Sequence, residues 1–390
     1  MKPEKDSAKP IYKSIAIISN HAGFSSQSVM GLYTIILAKE LCRLGFKINY
    51  YCWAVFLDTQ DLPPNLTIIC YPKAVFWKNT LAHLKQQNTK LLLYNYLASV
   101  SGKLGMPFIA PYYIFKLKQH GIKVITNFHE TVVRWSFQKP WLTLQAIIQR
   151  GAAILILKSS CAATSSIQRY VNYLVRYNPF VNIIPIGATV FPSANYVLNL
   201  NTSLPFRIAC FGNRDYTVLL QVLTTLPKSD YTIQVIIIGQ ISPTHKAQMQ
   251  QYITTHNLSD RVVFTGLLND TELSAALSSC HMAFSNEPVN YKGRGGASFK
   301  STSLLAAFAF GLPIASTLGD MNDPDFTTSV PIYLIKAGET EKLKSFLLTL
   351  YHHPLRRQTI AANTLAYYHK NLSWPIIANS YASLLDKYLD

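Results

Sequence analysis

The chain is 390 residues long and nearly half apolar, with 36 Lys and Arg against 19 Asp and Glu and a net charge of +17. That length and apolar content suit two or three domains with real cores and exclude a disordered or low-complexity polymer. Its six cysteines (Cys42, Cys52, Cys70, Cys161, Cys210, Cys280) have neither CxxC nor metal-ligand spacing, so they read as reduced core thiols of a cytosolic protein rather than a disulfide scaffold.

The charge is uneven. Residues 1–200 hold 21 basic and 6 acidic side chains, residues 201–390 hold 15 and 13. The basic character therefore belongs to the N-terminal half and implies an anionic partner there, such as membrane lipid or an acidic or pyrophosphate-linked acceptor. No nucleic-acid recognition module is visible, so nucleic acid is not expected. The polar start MKPEKDSAKPIYKS lacks the form of a signal peptide, and no charge-free run of about 18 apolar residues predicts a bilayer span.

In chain order, residues 14–19 (SIAIIS) predict a buried strand, 28–44 a helix capped at Gly45, and 47–53 a second strand. This is the βαβ opening of a doubly wound domain, in which ligands sit at the strand C-termini; the loop from Gly23 to Gly31 would face that crevice. Strands are expected at 67–70 and 90–94. Residues 104–118 (LGMPFIAPYYIFKLK) read as a core helix interrupted by two prolines, or alternatively as an interfacial segment with snorkelling lysines. The strand at 123–127 runs into Phe128-His129-Glu130, placing a histidine at a strand end. A helix at 141–151 and a strand at 153–157 follow.

Residues 190–204 have linker composition. A second β/α set opens with 207–211 (RIACF) and the loop Gly212-Asn213-Arg214-Asp215. Arg214 suits phosphate by its charge and planar fork; the plainer alternative is an ion pair with Asp215. Strands at 234–239, 262–266 and 281–285 alternate with helices at 249–256 and 271–279. The loop EPVNYKGRGGASFK then precedes an apolar helix at 304–310, a Gly311-Leu312-Pro313 stop and a strand at 314–317. Here Gly293, Gly295 and Gly296 allow close backbone approach to a ligand, and Ser301 or Thr302 is the expected N-cap. Lys292, Arg294 and Lys300 add positive charge beside a helix N-terminus, a combination that suits an anion; the alternative is a solvated basic loop before a buried helix. Residues 371–389 form an amphipathic terminal helix.

The run SLLAAFAFGLPIAST resembles the C-terminal-domain signature of family 4 glycosyltransferases, which have the GT-B fold, and Asn182-Ile183-Ile184-Pro185-Ile186-Gly187-Ala188 resembles the family's end of the first domain, departing at Thr189. Many members carry two glutamates eight positions apart where this chain has Ser298 and Ala306. It is closer to a subgroup with a basic residue followed by small residues, here Lys300-Ser301-Thr302-Ser303. The resemblance implies a site. His129 would hydrogen-bond a hydroxyl of the reacting sugar, with Glu130 as helper. Arg214 would hold the leaving pyrophosphate, with Lys300 or Arg294 replacing a lysine that relatives carry. The amides at Ser301, Thr302 and Ser303 would hold the diphosphate, Gly23 would lie by it, Gly266 and Leu267 would face the base, and Glu287 would receive a ribose or donor-sugar hydroxyl.

The expectation is thus an α/β protein of GT-B type, two Rossmann-like β/α/β domains facing a cleft. Residues 1–190 would bind the acceptor, 205–370 the nucleotide sugar, and 371–390 would form a helix crossing back to the first domain. The implied activity is retaining, metal-independent transfer of a sugar from a UDP- or GDP-linked donor to a glycan or lipid-linked acceptor in cell-surface polysaccharide or glycolipid synthesis. The expected location is the cytoplasm, with the basic N-terminal domain against anionic membrane. No cofactor beyond the donor substrate is expected. A nucleotide-sugar epimerase on the same fold and a non-catalytic nucleotide or polysaccharide binder are the alternatives.

Overall fold

The computed structural model describes residues 13–19, 29–53, 62–98, 105–130, 140–193, 196, 205–290 and 292–389. The chain divides into two compact units, Met1–Ile184 with Ile377–Asp390, and Pro185–Ile376.

The first unit is a seven-stranded sheet: β1 (Lys13–Ser19), β2 (Phe46–Cys52), β3 (Leu66–Cys70), β4 (Leu91–Leu97), β5 (Lys123–Glu130), β6 (Ala162–Ser165) and β7 (Val181–Ile183). Its spatial order is β3-β2-β1-β4-β5-β6-β7 and every pairing is parallel. Strands buried on both faces need continuous apolar runs, and LLLYNYL of β4 is buried through six of its seven residues. The helices are α1 (Val29–Arg43), α2 (Phe76–Gln86), α3 (Ile109–Gln119), α4 (Pro140–Ser159), α5 (Gln168–Leu174) and the last part of α12 (Trp374–Leu389). The strand order reverses between β1 and β4, so the crevice of this sheet opens there.

The second unit repeats the plan with six strands: β8 (Phe206–Phe211), β9 (Ile233–Ile238), β10 (Val262–Gly266), β11 (Met282–Ser285), β12 (Ile314–Thr317) and β13 (Ile332–Ile335), in the order β10-β9-β8-β11-β12-β13, again parallel. Helices α6 (Thr217–Thr224), α7 (Pro243–Thr255), α8 (Asp270–Ser278), α9 (Thr302–Ala309), α10 (Thr340–His352) and α11 (Pro354–Tyr367) surround it, and a π-helical turn, Tyr368–Leu372, leads into α12. The core fills with side chains of α6, β9 and α10, including Leu219, Val235, Ile237, Leu343 and Leu347. The reversal lies between β8 and β11.

Three sequence expectations fail in the first unit. Residues 141–151 and 153–157 are not a helix followed by a strand; they form the single 20-residue helix α4. The apolar run AAILIL after Gly151 fits either period, and Gly151 sits inside the helix instead of capping it. The 104–118 helix is not interrupted by its prolines, because Pro111 falls in the first turn of α3, where no N–H is required. Nor is that helix simply core, since half of it faces solvent. Of the thiols, Cys70 is exposed where a buried residue was expected. By length and composition α4 is apolar enough to cross a membrane, with 33% of its apolar window buried.

Candidate active site

The second unit's crevice is built from three loops. The first follows β8. Gly212 there allows the chain to fold over the next side chains, for a Cβ on it would meet Arg214 Nη1 at 2.8 Å. Asp215 Oδ1 accepts hydrogen bonds from the Thr217 N–H (2.9 Å) and hydroxyl (2.6 Å), starting α6. The predicted alternative pairing of Arg214 with Asp215 is therefore not what forms. Arg214 turns to the second loop, after β11, where Nη2 donates to both carboxylate oxygens of Glu287 at 2.8 and 2.9 Å.

Glu287 is 8% exposed and heavily committed: besides Arg214, its Oε1 accepts from Ser285 Oγ (2.9 Å) and Ser301 Oγ. A carboxylate with that many donors fixes its partners in place. Its Oε1 is thus filled by protein donors, and its first role in this geometry is to position Arg214. Arg214 Nε is buried with no acceptor among the described residues, so the guanidinium retains unused donor capacity.

The third element is the N-terminus of α9. Ser301 is its N-cap (φ −82°, ψ 108°), its side chain accepting from Leu304 N–H at 3.4 Å. Ser301 Oγ also lies 3.3 Å from Arg214 Nη2 and 3.1 Å from Ser303 Oγ. Among the described residues no acceptor takes the N–H groups of Thr302 or Ser303. Those two orphan donors, the start of the helix dipole and the unused Nε–H of Arg214, whose charge is balanced by Glu287, converge at the switch point of the sheet.

The glycine-rich loop is put to a different use from the one expected. Gly295 (φ +126°) and Gly296 (φ +91°) are pressed against backbone, a Cβ on Gly295 lying 1.9 Å from the Pro288 carbonyl oxygen and one on Gly296 2.6 Å from Gly319 N. Asp320 Oδ1 accepts from Gly295 N–H at 2.8 Å, and Asn290 Oδ1 from Lys292 and Arg294 N–H at 3.0 Å each. These glycines let the loop pack on the 317–322 segment, and only Gly293 has open space around it. Arg294 is exposed at the loop tip, Lys300 half-buried next to the cap. Ala306 and Ser298 are both buried. Gly266 ends β10 with its carbonyl accepting from Gly239 N–H at 3.0 Å, and Leu267 beyond it is 77% exposed.

His129 and Glu130 belong to the first unit, at the end of β5, with His129 8% exposed and Glu130 half-buried. Asn127 and His129 share one strand face, and around them the sheet carries a neutral polar network. Thr34 Oγ1 donates to the Met30 carbonyl (2.8 Å) and accepts from Asn95 Nδ2 (3.1 Å); Asn95 Oδ1 accepts from Asn127 Nδ2 (3.0 Å); Asn127 Oδ1 accepts from Thr164 Oγ1 (3.0 Å). A carbonyl only accepts, so the chain of bonds has one direction and fixes the Asn127 amide. Its Nδ2 also lies 2.9 Å from His129 Nε2 and 3.3 Å from the Tyr33 hydroxyl, three neighbours for two hydrogens, so the amide holds the edge of the imidazole ring. Tyr33 stands edge-on to the imidazole, centroids 4.8 Å apart, and bonds Tyr381 of α12 at 3.1 Å. Burial raises the Tyr33 phenol well above its usual range, with Tyr381 adding to it, and burial raises Tyr381 too, so both stay neutral.

Gly23 lies outside the described residues. Sequence reasoning missed Ser285, Asp320 and the Asn95–Asn127–Thr164 network. The one available signal was two asparagines in otherwise apolar strands, where an amide must find partners.

Among the described residues no group of three or more His, Cys, Asp or Glu side chains could hold a metal. Residues 210–364 match the family model described as "Glycosyl transferases group 1". No curated protein sequence matches the chain. Among solved structures, the chain is similar to a glycosyltransferase from Rickettsia africae ESF-5 (14% identity, 97% of this chain and 99% of that one, TM-score 0.69). It is also similar to sucrose-phosphate synthase from Thermosynechococcus elongatus (17% identity, 96% and 98%, TM-score 0.66). A third likeness is to Anabaena HepE in complex with UDP and glucose (14% identity, 96% and 100%, TM-score 0.65). With two parallel sheets each flanked by helices, these likenesses give the chain the GT-B architecture of two Rossmann-like units.

Proposed function

We propose that the chain transfers a sugar from a nucleoside-diphosphate sugar to a glycan or lipid-linked acceptor, with retention of configuration and without a metal. The observation that carries this reading is the convergence of Arg214, Glu287 and the Ser301-capped start of α9 at the switch point of the second sheet. Departure of a nucleotide diphosphate builds negative charge on the β-phosphate. A guanidinium held by a buried carboxylate, together with oriented N–H groups at Thr302 and Ser303, stabilises that charge more as the bond breaks than before it, and so lowers the barrier. Lys300 and Arg294 supply further charge from the same loop. Gly266 and Leu267 stand at the sheet's C-terminal edge, where the base of a nucleotide would lie in this fold. The match of residues 210–364 to a glycosyltransferase family, and the UDP and glucose named for HepE, support a donor of this chemistry.

The acceptor falls to the first unit, where His129 and Glu130 end β5. An imidazole held between Asn127 and the Tyr33 ring has a restricted orientation, which suits the recognition of one hydroxyl of the transferred sugar. In this reading Glu130 assists and the basic surface of residues 1–200 favours an anionic acceptor or bilayer, with synthesis of cell-surface polysaccharide or glycolipid on the cytoplasmic side.

One observation favours a second reading, a nucleotide binder without turnover: Ala306 and Ser298 remove both glutamates that many relatives carry. A thermal-shift panel of UDP, GDP and their sugars, followed by donor-turnover measurements with the one that binds, separates the two. Stabilisation with slow donor hydrolysis supports transfer; stabilisation with no turnover in the presence of lipid-linked and glycan acceptors supports the binder; no stabilisation by any nucleotide removes both.

A further inference from the structure

Helices α3 and α4 pack side by side on the first sheet through small and branched residues, among them Ala110, Ile114, Leu117, Ala153 and Ile156. Their outer sides are apolar as well. Phe108, directly before α3, and Ile109, Tyr112 and Phe115 on it are 65, 59, 56 and 47% exposed. On α4, Trp141, Leu144, Ile147 and Leu155 are 47, 46, 50 and 57% exposed. Positions 141, 144, 147, 151, 155 and 158 advance in steps of three and four, so they form one stripe along the helix. On a solvated helix that stripe is charged; here its first charged residue is Lys158, in the last turn. Between the two helices runs a groove of about 620 Å³ lined by Pro111, Tyr112, Phe115, Ile148, Gly151 and Leu155.

The charges at this face have one sign. Lys116 and Lys118 close α3 and Lys158 closes α4, and Lys118 Nζ donates to the Lys158 carbonyl at 3.0 Å, so the lysine-bearing ends adjoin. Lys116 lays its ammonium 5.7 Å from the Tyr112 ring centre, which keeps its stem on the apolar surface and its charge at the rim. Across residues 91–200 there are ten Lys and Arg and a single acidic residue, Glu130.

We propose that this α3–α4 face docks on an anionic phospholipid bilayer, its apolar stripe entering the interfacial layer and its lysines meeting the headgroups. Exposed apolar area of this extent selects hydrocarbon over a soluble anion, and the surrounding positive charge selects anionic over neutral lipid. Trp141 and Tyr112 are the amphipathic rings that favour the headgroup level. Helix α4 lies on the bilayer rather than crossing it, because its inner side is committed to the sheet. A second copy docking face to face would bring like-charged lysine clusters together. The inference stands on the first unit alone and is independent of the donor site.

The test is co-sedimentation at low salt with vesicles of phosphatidylglycerol and phosphatidylcholine, against phosphatidylcholine alone. Two double variants accompany the wild type, Ile147→Glu with Leu155→Glu, and Lys116→Gln with Lys158→Gln. All four side chains reach solvent, so the fold is retained, which a thermal melt and nucleotide binding check. The wild type is expected in the pellet with the anionic vesicles only. The glutamate pair should weaken binding by about tenfold or more, and the glutamine pair by about thirtyfold at about 1 kcal/mol per lysine. A wild type that stays in the supernatant overturns the proposal, as does vesicle binding that both double variants leave unchanged. So does a lipid-free dimer that the glutamate pair converts to monomer without any vesicle binding by the wild type. Loss of nucleotide response in the wild type with vesicle binding intact would instead count against the donor-site reading.

Discussion

The two sheets share one strand plan, yet their crevices are filled differently. In the second unit the loops after β8 and β11 bring together an arginine and a glutamate whose side chains are 18% and 10% exposed, beside the bare N–H groups of a helix start. In the first unit the neighbouring strands β4, β5 and β6 contribute amides, a threonine and a histidine, tied into a network by hydrogen bonds. The same topology thus yields one crevice built on an ion pair beside a helix start, which the proposed function assigns to a diphosphate, and one built on amides and hydroxyls, which it assigns to a sugar. The lesson is that strand order fixes where a ligand sits, while the two or three side chains at the strand ends fix what its charge must be.

The hardest way to break that contrast is to remove the charge. Arg214→Ala is expected to lower kcat about 100- to 1,000-fold, the range seen when one oriented donor to a developing oxyanion is lost, in a steady-state donor-turnover assay. It also leaves Glu287 buried without its cation, so a fall in Tm accompanies it. Arg214→Lys keeps the charge and gives up the fork, and should recover the Tm more than the rate. Next in size, His129→Ala should cost about 10- to 100-fold in kcat while leaving nucleotide affinity as it was, since the residue belongs to the other crevice; a matched loss of nucleotide affinity would erase the distinction. Ser301→Ala removes an N-cap and one of Glu287's donors, and should cost about 1 kcal/mol in chemical denaturation with a raised donor KM. The smallest effect on turnover is expected from Tyr381→Phe, which loses the hydrogen bonds to Tyr33 and Thr164 at about 1 kcal/mol of stability each, with donor KM unchanged.

Much of the fold was legible because parallel strands buried on both faces leave uninterrupted apolar runs. Residues 262–266 and 314–317 coincide with β10 and β12. The failures have physical causes. In α4 a glycine and the run AAILIL imitate a helix stop followed by a strand, and only the packing on α3 shows one continuous helix. Helix α2 is absent from the sequence expectations although its buried Phe76, Trp77, Thr80 and Leu84 recur at helical spacing. In the site, Ser301 was readable as a cap because the hydroxyl precedes an apolar run. Glu287 was readable as a carboxylate beyond a strand, but not as the residue that holds Arg214, since that contact joins positions 73 residues apart. The glycines at 295 and 296 were read as room for a ligand, whereas the backbone of 288 and 319 fills that room.

Calorimetric titration of UDP and of GDP into the wild type and into Arg214→Ala tests the central claim most directly. The account predicts that one of the two binds the wild type, that its affinity falls about 10- to 100-fold in the variant, as loss of a charge-assisted hydrogen bond to phosphate requires, and that the parent nucleoside is indifferent to the change. Equal affinity of the nucleoside diphosphate for both proteins would contradict it.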